Sequence, residues 1–556
     1  MAAITFDYVP RLKHNSNGVH LVPGNKILRP CLVRSNSNLF GHKLAAVYEP
    51  LSFSASTENT RRSGYVPLCV AGSNQSSASC SFDVVIVGAG IIGLSIARQF
   101  LLGSDLSVAV IDAAVPCSGA TGAGQGYVWK IHKAPESDKW ELAMRSYQLW
   151  EILAKNIELE GMDPSEIFGW KKTGSLLIGR TSEESSILRR KVKQLSDSGV
   201  RAEFLTRNDL LSEEPALLIE KEGGAAYAPD DCQLDARRAV AFIEKVLYTM
   251  CRVIGFLLQK VCYTGEVEAV QTSKTILHSK KAVILAAGCW SGSLMHDMIK
   301  HHNIEVDLPI KPRKGHLLVI ENFKPFKLNH GLMEAGYVNH QSATLKSAPN
   351  SGSIYDAQST SVSMTATMDT SGGLVLAADN LLALALRWIE SIINRIWERA
   401  GEFFPLLRKE SLTDLRQNRE VRVGLRPYLP DGKPAIGPVP GFSNLFVAAG
   451  HEGEGLTLAP GTAEMIVDMV LGNPWKVDPA PFAVQAMQES TPSLNSTTYT
   501  TDTSMNKHPS IDDIAEKRTP VVNHNDSSEP SFPAAWSGGC RSSDSLIDWA
   551  TREENR

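Results

Sequence analysis

The sequence predicts an α/β fold organised around a parallel β-sheet, and three stretches of the chain indicate this. The apolar run at 82–87 is typical of a strand covered on both faces, and a glycine-rich turn and residues with helical apolar spacing follow it. A second apolar run, at 108–111, completes a strand-helix-strand unit. Near the other end, a strand at 445–449 leads through another glycine-rich turn into a helix at 456–471. This repeated order predicts strands that lie side by side in one sheet.

The first glycine-rich turn, at 88–93, matches the G-x-G-x-x-G pattern of dinucleotide-binding turns. Its first glycine permits the tight turn, its second lets the backbone approach a pyrophosphate, and its third lets helix and strand pack closely. The N-terminus of the following helix presents free N–H groups to the phosphates. A carboxylate at the end of the second strand can accept hydrogen bonds from an adenosine ribose. We therefore predict an NAD or FAD site formed by Gly88, Ala89, Gly90, Ile91, Ile92, Gly93, Asp112 and Ala113.

Two further segments favour FAD over NAD. Residues 117–126 are mostly small, so their backbone could lie against a flat ring system. The apolar run at 282–287 reads as a buried strand that ends in a glycine turn, which is again suited to close approach by a cofactor. An NAD-linked dehydrogenase remains the weaker alternative. The candidate cofactor contacts in this part of the chain are Thr121, Gly124, Gln125, Gly126, Val261, Ala287, Gly288 and Trp290.

Four motifs follow one another in a fixed order along the chain. They are the glycine fingerprint at 88–93, Ala-Ala-Gly-x-Trp at 286–290, Pro-Arg-Lys-Gly-His at 312–316, and Arg-Pro-x-x-x-Asp-Gly-x-Pro-x-x-Gly at 426–437 followed by Gly-His. Together they resemble the flavin-dependent amino-acid oxidase family, which includes glycine oxidase, sarcosine oxidase and D-amino-acid dehydrogenases. Glycine oxidase-like members carry an arginine where this chain has Gly453. The Gly-His-Glu-Gly-x-Gly form is more similar to the imino-acid or D-hydroxyproline dehydrogenases.

The resemblance, which runs from about residue 82 to 484, implies two interleaved domains. One is a discontinuous Rossmann-like FAD-binding domain, and the other is an α+β substrate domain whose mixed sheet lies over the flavin. Strand-like runs at 176–179, 316–320 and 373–376 are expected in that sheet. A Leu-rich segment at 377–391 stands where the family continues with a polar loop. We expect the FAD-binding domain to comprise 81–150, 226–308 and 420–486, and the substrate domain to comprise 151–225 and 309–419.

The resemblance implies that Arg426 holds the carboxylate of the substrate over the flavin. A guanidinium group pairs bidentately with a planar carboxylate and so fixes the position of the substrate Cα–H. The second glycine turn opens a helix whose N-terminus could stabilise reduced flavin. Arg422 is expected as an exposed neighbour, and Lys314 and His316 as strand-surface residues. The candidate catalytic residues are Arg426 and His451, and the cofactor contacts expected here are Gly450, Glu452, Gly453, Glu454, Gly455, Leu456 and Thr457.

We expect an FAD-dependent oxidoreductase that moves a hydride from Cα of a small amino or imino acid to flavin N5. The imine would hydrolyse to a keto acid and ammonia or persist as a cyclic imine, and dioxygen or a quinone would accept the electrons. The alternative is a flavoprotein with an assembly or scaffolding role, or an impaired variant of the enzyme. Substrate identity and chirality, the acceptor, the mode of flavin attachment and the oligomeric state stay open.

Composition excludes several other classes. The 556 residues include 56 basic and 60 acidic side chains, and a net charge of -4 does not favour nucleic-acid binding. There is no apolar run of the roughly 20 residues that a membrane helix needs. The nine cysteines include no C-x-x-C pair, so the sequence indicates neither a metal site nor a disulfide framework.

The two ends of the chain differ from its centre. Residues 1–80 carry eight Lys or Arg against three Asp or Glu and are rich in serine, which is the composition of an organelle transit peptide. We expect a plastid address first and a mitochondrial address second, with an unstructured extension as the alternative. Residues 487–556 are rich in polar residues and poor in aliphatic ones, so we expect them to be disordered.

Overall fold

A computed structural model of the chain describes residues 31–38, 43–47, 78–246, 252–254, 265–272, 275–299, 306–336, 363–379, 389–410, 412, 415 and 418–485. Most of the predicted leader, the predicted tail, Val261 and residues 380–388 of the Leu-rich segment lie outside these ranges. The localisation and tail predictions therefore stay predictions.

The described strands, in chain order, are β1 (Cys31–Asn38), β2 (Lys43–Val47), β3 (Ala78–Val87), β4 (Val108–Asp112), β5 (Tyr127–Val128), β6 (Ser175–Gly179), β7 (Glu203–Thr206), β8 (Gly224–Ala228), β9 (Cys232–Gln233), β10 (Arg252–Ile254), β11 (Ala269–Gln271), β12 (Thr275–Leu285), β13 (Lys311–Ile320), β14 (Gly331–Glu334), β15 (Ser363–Met368), β16 (Leu374–Asp379), β17 (Arg419–Tyr428), β18 (Ala435–Pro438) and β19 (Leu445–Ala449). The described helices are α1 (Ile91–Gly103), α2 (Trp140–Leu159), α3 (Pro164–Phe168), α4 (Ser182–Asp197), α5 (Arg207–Glu213), α6 (Ala236–Val246), α7 (Ser291–Ile299), α8 (Ile389–Phe403) and α9 (Gly455–Leu471).

The first large sheet, which we call the cofactor sheet, has the strand order β10-β4-β3-β12-β19-β18, and β11 pairs with β12. Its first five strands are parallel, and β18 is antiparallel to β19. The predicted strand-turn-helix-strand units at both ends of the chain are therefore neighbours in one sheet. Strand β3 begins at Ala78 rather than at Phe82, because residues 78–81 pair in register with 275–278 of β12.

Helices cover both faces of the cofactor sheet. Neighbouring residues of β3 point to opposite faces, so they are buried in different clusters. Val84 and Ile86 are fully buried in a cluster that includes residues of α1, α2, α6 and α9. Val85 and Val87 are fully buried in a second cluster, which includes Met295 of α7. This two-sided burial explains why the strand is an uninterrupted apolar run.

The second large sheet, which we call the substrate sheet, has the order β17-β13-β16-β15-β14-β6-β8-β7. It is mixed, since β14 and β6 are parallel and the other neighbours are antiparallel. Helix α8 packs on one face, where its Ile393 and Phe403 share a buried cluster with Leu318 and Leu376. The predicted strands at 176–179, 316–320 and 373–376 all lie in this sheet.

Two strands join the substrate sheet although the predicted boundaries place most of their residues with the cofactor segments. Strand β8 pairs along its length with β6. Strand β17 pairs residue by residue with β13, from Lys311 opposite Tyr428 to Ile320 opposite Arg419. The chain therefore returns to the cofactor sheet only at β18, beyond Arg426.

Three further observations bear on the predictions from composition. Among the described residues, no helix is both long enough and apolar enough to cross a membrane. Nor does the described part of the chain gather three or more His, Cys, Asp or Glu side chains into a possible metal site. Cys117 and Cys232 are free thiols, whereas Cys80 is disulfide-bonded, which the scattered cysteine spacing did not indicate.

Candidate active site

The first glycine turn combines two very close packing contacts with one less crowded position. Gly88 has a φ of +116°, and a Cβ atom there would lie 2.2 Å from the carbonyl oxygen of Ala286. A Cβ atom on Gly93 would lie 2.0 Å from the carbonyl oxygen of Gly88. At Gly90 the nearest atom to an added Cβ would be Thr121 Oγ1, at 3.3 Å, and Gly90 lines the large cavity. The turn thus presents its middle glycine and the N-terminus of α1 to whatever fills the cavity.

Asp112 is held at the end of β4 by backbone N–H groups. Ala89 N–H donates to Oδ2 at 2.6 Å, and Ala114 N–H donates to Oδ1 at 2.8 Å. Asp112 and Ala113 both line the cavity. Because both oxygens are anchored, the carboxylate is preorganised to accept hydrogen bonds from a ribose hydroxyl.

The cavity between the two large sheets has a volume of about 860 Å³. Its walls come from the first glycine turn, the small-residue segment after Asp112, the turn at 286–290, strands β13 and β17, and the second glycine turn. Glycines let the walls of the cavity pack closely on one another: a Cβ atom on Gly124 would lie 2.7 Å from Leu456 Cδ1, and one on Gly424 would lie 2.9 Å from Ala123 Cβ. A dinucleotide with a flat ring system fits this arrangement of glycine turns, anchored carboxylate and closely approaching backbone.

Most of the predicted site residues meet at this cavity. The predicted residues that line it are Gly88, Gly90, Ile91, Ile92, Asp112, Ala113, Thr121, Gly124, Gln125, Ala287, Gly288, Trp290, Arg426, His451, Glu452, Gly453, Gly455 and Leu456. The structure places six others behind the lining: Ala89, Gly93, Gly126, Gly450, Glu454 and Thr457.

The residues behind the lining hold its turns in place. Gly126 packs on Leu234, because a Cβ atom on Gly126 would lie 1.9 Å from the carbonyl oxygen of Leu234. Gly450 packs on Leu429, because a Cβ atom on Gly450 would lie 2.5 Å from Leu429 Cδ1. The hydroxyl group of Thr457 donates to the carbonyl oxygen of Tyr127 at 3.2 Å. Gly126, Gly450 and Thr457 do not line the cavity, and their contacts shape the turns that do. Their predicted contact with the cofactor stays a prediction.

Glu454 is also buried behind the second glycine turn, where it pairs with Lys133 and Lys139. Burial alone would raise the pKa of Glu454, but the two ammonium groups hold that pKa well below its usual range. The carboxylate therefore stays ionised and ties the turn to the segment that precedes α2. This structural ion pair, rather than a cofactor contact, is the role that the geometry gives Glu454.

Arg426 extends along the cavity wall in a slot between two glycines. A Cβ atom on Gly315 would lie 3.2 Å from Nε of Arg426, and one on Gly453 would lie 3.4 Å from Nη1. The side chain is 14% exposed, and its Nη1 lies 3.8 Å from Oε1 of Glu452. By contrast, Arg422 is committed to Glu420, to which its Nε and Nη2 donate at 2.9 and 2.8 Å.

Two of the histidines that line the cavity, His316 and His451, are neutral. His451 is buried with its Nε2 3.0 Å from Thr462 Oγ1, and burial lowers its pKa to about 3. His316 lines the cavity, and burial, together with the nearby Lys314 and Arg426, lowers its pKa to about 4. Neither ring carries a positive charge near neutral pH in this structure, which argues against a cationic role for His451. Its predicted catalytic role stays a prediction.

Gln125 joins the small-residue segment to the substrate sheet. Its Nε2 donates to Thr367 Oγ1 at 3.2 Å and to the carbonyl oxygen of Val375 at 3.3 Å, and its Oε1 accepts from Thr365 Oγ1 at 2.7 Å. The side chain is thus committed to strands β15 and β16. Gln125 lines the cavity, and its amide group links the small-residue segment to the substrate sheet. Its predicted contact with the cofactor stays a prediction.

Sequence reasoning missed several cavity residues, notably Thr365, Gly424 and Tyr127. A glycine inside a strand often marks close approach of another backbone, so Gly424 carried a usable signal. Thr365 carried none, because it lies in a Ser-rich stretch whose strand pairing depends on distant residues.

Comparisons with known proteins identify the family of this chain. The model of the DAO family, described as FAD dependent oxidoreductase, matches residues 83–469. The glycine oxidase of Geobacillus kaustophilus (strain HTA426) is 26% identical over 411 residues, which cover 72% of this chain and 96% of that protein. The crystal structure of glycine oxidase from Geobacillus kaustophilus superposes with a TM-score of 0.59 at 24% identity, covering 73% of this chain and 99% of that one. The crystal structure of L-proline dehydrogenase from P. horikoshii gives 0.56 at 21% identity, covering 73% and 97%. This chain belongs to the DAO family of FAD-dependent oxidoreductases, and its cofactor is FAD.

Proposed function

We propose that the enzyme oxidises a small amino or imino acid to the corresponding imine. Bound FAD supplies the hydride acceptor for this chemistry, and dioxygen or a quinone reoxidises it. The observation that carries the proposal is the Arg426 guanidinium group, which lies on the cavity wall with glycines on two sides. Relatives named glycine oxidase and D-amino acid dehydrogenase support the substrate class.

Arg426 has the chemistry to bind a carboxylate and hold it in one orientation. Its fork of N–H donors matches the two oxygens of a carboxylate, and the low exposure of the side chain strengthens the pairing. Gly315 and Gly453 confine the guanidinium group, so a carboxylate bound to it has little freedom. The substrate Cα would then have a fixed position in the cavity, which is the main requirement for hydride transfer from Cα.

No described residue in the cavity needs to act as a strong base. The hydride leaves Cα only when the substrate amine is neutral. The amine can lose its extra proton before the hydride transfer, so no strong base has to act during that transfer. His316 and His451 are neutral and hydrogen-bond or pack rather than carry charge. The residues of this site therefore bind, orient and exclude water, and the pH dependence should follow the substrate amine.

Steady-state turnover tests the proposal. The purified holoenzyme is supplied with glycine, sarcosine, L- and D-proline and a set of D-amino acids, with dioxygen or a soluble quinone as acceptor. We expect turnover with at least one of them and release of ammonia with a keto acid, or of a cyclic imine. Absence of turnover with every substrate under both acceptors would contradict the proposal and favour an assembly role or an impaired enzyme.

We further propose that the leader directs the protein to a plastid. The support is its basic, acid-poor and Ser-rich composition. Since residues 78–81 pair with β12, processing that preserves the fold must fall before Ala78. A fusion of residues 1–77 to a fluorescent protein tests this: accumulation in plastids is expected, and diffuse or mitochondrial fluorescence would contradict it.

A further inference from the structure

Glu452 has an unusual backbone conformation at the edge of the cavity. Its φ is +49°, in the left-handed region that side-chain-bearing residues rarely adopt, although glycines stand nearby at 450, 453 and 455. A glycine would occupy this position without strain. Strained positions of this kind cluster at ligand sites, where the surrounding structure enforces them.

The carboxylate of Glu452 lies between two arginines. Arg313 Nη1 donates to its Oε1 at 2.6 Å, and Arg426 Nη1 lies 3.8 Å from the same oxygen. Arg313 is held in turn by the ring of Tyr428, whose centroid lies 4.0 Å from the guanidinium carbon. A carboxylate offers about four acceptor positions, so these contacts leave Glu452 able to accept further hydrogen bonds.

The turn that carries Glu452 is fixed from behind. The next but one residue, Glu454, is buried in its ion pairs with Lys133 and Lys139. Gly453, between them, lies against the side chain of Arg426. The positions of the Glu452 carboxylate and the Arg426 guanidinium are therefore coupled through a short and rigid segment, as a preorganised binding site requires.

An α-amino or imino acid carries a carboxylate and a nitrogen on the same carbon. Arg426 and Glu452 place opposite charges within a few ångströms of each other on the wall of one cavity. We propose that Glu452 accepts hydrogen bonds from the N–H groups of the substrate nitrogen while Arg426 binds the carboxylate. The pair would then select amino and imino acids over simple carboxylic acids. This inference rests on the proposed function, because it requires the substrate carboxylate to bind Arg426.

Ligand selectivity separates this role from a merely structural one. The experiment compares an amino acid with its nitrogen-free counterpart, such as proline with cyclopentanecarboxylate or glycine with acetate. Both dissociation constants are measured from the flavin absorbance, and ligands that reduce the flavin are measured anaerobically. Glu452→Gln keeps the size of the side chain but removes its charge. We expect amino-acid selectivity to fall about tenfold or more, since hydrogen bonds to charged groups are among the stronger ones.

A structural role predicts a different result. If Glu452 only positions the arginines, Glu452→Gln changes the binding of both ligands by the same factor, and an unchanged ratio overturns the inference. If the glutamine variant retains little FAD, Glu452→Asp serves as a second test. Aspartate keeps the charge but is shorter by one methylene group. An unchanged ratio of the two dissociation constants in this variant also overturns the inference. Glu420→Gln is the control, because Glu420 pairs with Arg422 and Arg237 and does not line the cavity. A fall in its ratio as large as that of Glu452→Gln would count against Glu452.

Failure of the proposed function would look different. In that case no amino acid bleaches the wild-type flavin, and Arg426→Met changes the binding of neither ligand. That outcome overturns both proposals, whereas an unchanged ratio in an active Glu452→Gln enzyme overturns only this one.

Discussion

The Arg426 guanidinium group lies against Gly453, so closely that a Cβ atom at residue 453 would be 3.4 Å from Nη1. Gly315 confines the other side of the same group. Glycine at these positions therefore lets an arginine extend along the cavity wall. The strand β17 carries Arg426 to this place, and the second glycine turn, which follows in the cofactor sheet, supplies the facing surface.

Replacing Arg426 by Met should leave FAD bound but greatly weaken catalysis. Losing a charged, partly desolvated pairing costs about 2–5 kcal/mol, so kcat/KM should fall roughly 30-fold to several-thousand-fold, chiefly through KM. Steady-state kinetics measure this. Arg422→Met is the control and should change KM little, because Arg422 is committed to Glu420. A KM unchanged in Arg426→Met would contradict the carboxylate assignment.

Replacing Gly90 by Val should abolish FAD retention without unfolding the protein. The added side chain would lie at the N-terminus of α1 on the cavity wall, where its Cβ atom would be 3.3 Å from Thr121 Oγ1. The ratio of flavin to protein after gel filtration measures the effect. Gly103→Ala, at the other end of α1, is the matched control, because no atom lies within 4 Å of a Cβ there. A yellow Gly90→Val protein would show that the pyrophosphate lies elsewhere.

The parts predicted correctly are those determined by nearby residues. The apolar run of β3, the glycine turn after it and Asp112 could be recognised together, because they belong to one unit of consecutive strand, turn, helix and strand. The helix at the second turn also ends where the sequence indicates, at Gly472, which has a φ of +73°. The affiliation of β17 could not be predicted, because it depends on antiparallel pairing with β13, about a hundred residues earlier. The ion pairs of Glu454 with Lys133 and Lys139 could not be predicted either, because these lysines lie more than three hundred residues away in sequence.

Removing the carboxylate of Glu454 should destabilise the protein substantially. Glu454→Ala leaves the buried Lys133 without its partner, which typically costs about 3–5 kcal/mol of unfolding free energy. Urea unfolding at a fixed FAD concentration measures it. Asp138→Asn removes an exposed pair with Lys433 and should cost at most about 1 kcal/mol. Equal effects of the two substitutions would contradict the role of Glu454.

The same carboxylate should make stability depend on acid. The pKa of Glu454 is lower in the folded protein than the ordinary value of 4.5, so its contribution is complete above that pH. The contribution is lost progressively as the pH falls from 4.5 toward the folded pKa. Unfolding curves between neutral pH and pH 3 should therefore converge for the wild-type protein and Glu454→Ala. A difference that stays constant with pH would show that the folded pKa is not lowered.

His451 should affect stability more than turnover. Its folded pKa of about 3 lies below the ordinary value of 6.5, so the unfolded chain binds the extra proton between these values and stability falls as the pH drops from 6.5 toward 3. His451→Asn should weaken this acid sensitivity and leave the shape of the pH–rate profile between pH 6 and 9 unchanged. Loss of a kinetic pKa near neutral pH in that variant would indicate that His451 titrates during catalysis.

Anaerobic mixing of the holoenzyme with amino acids tests the central claim most directly. We expect at least one small amino or imino acid to bleach the visible flavin absorbance of the wild-type protein. The Arg426→Met protein, still yellow, should bleach only at a much higher amino-acid concentration. A wild-type flavin that stays oxidised with glycine, sarcosine, proline and D-amino acids, yet is reduced normally by dithionite, would contradict the central claim.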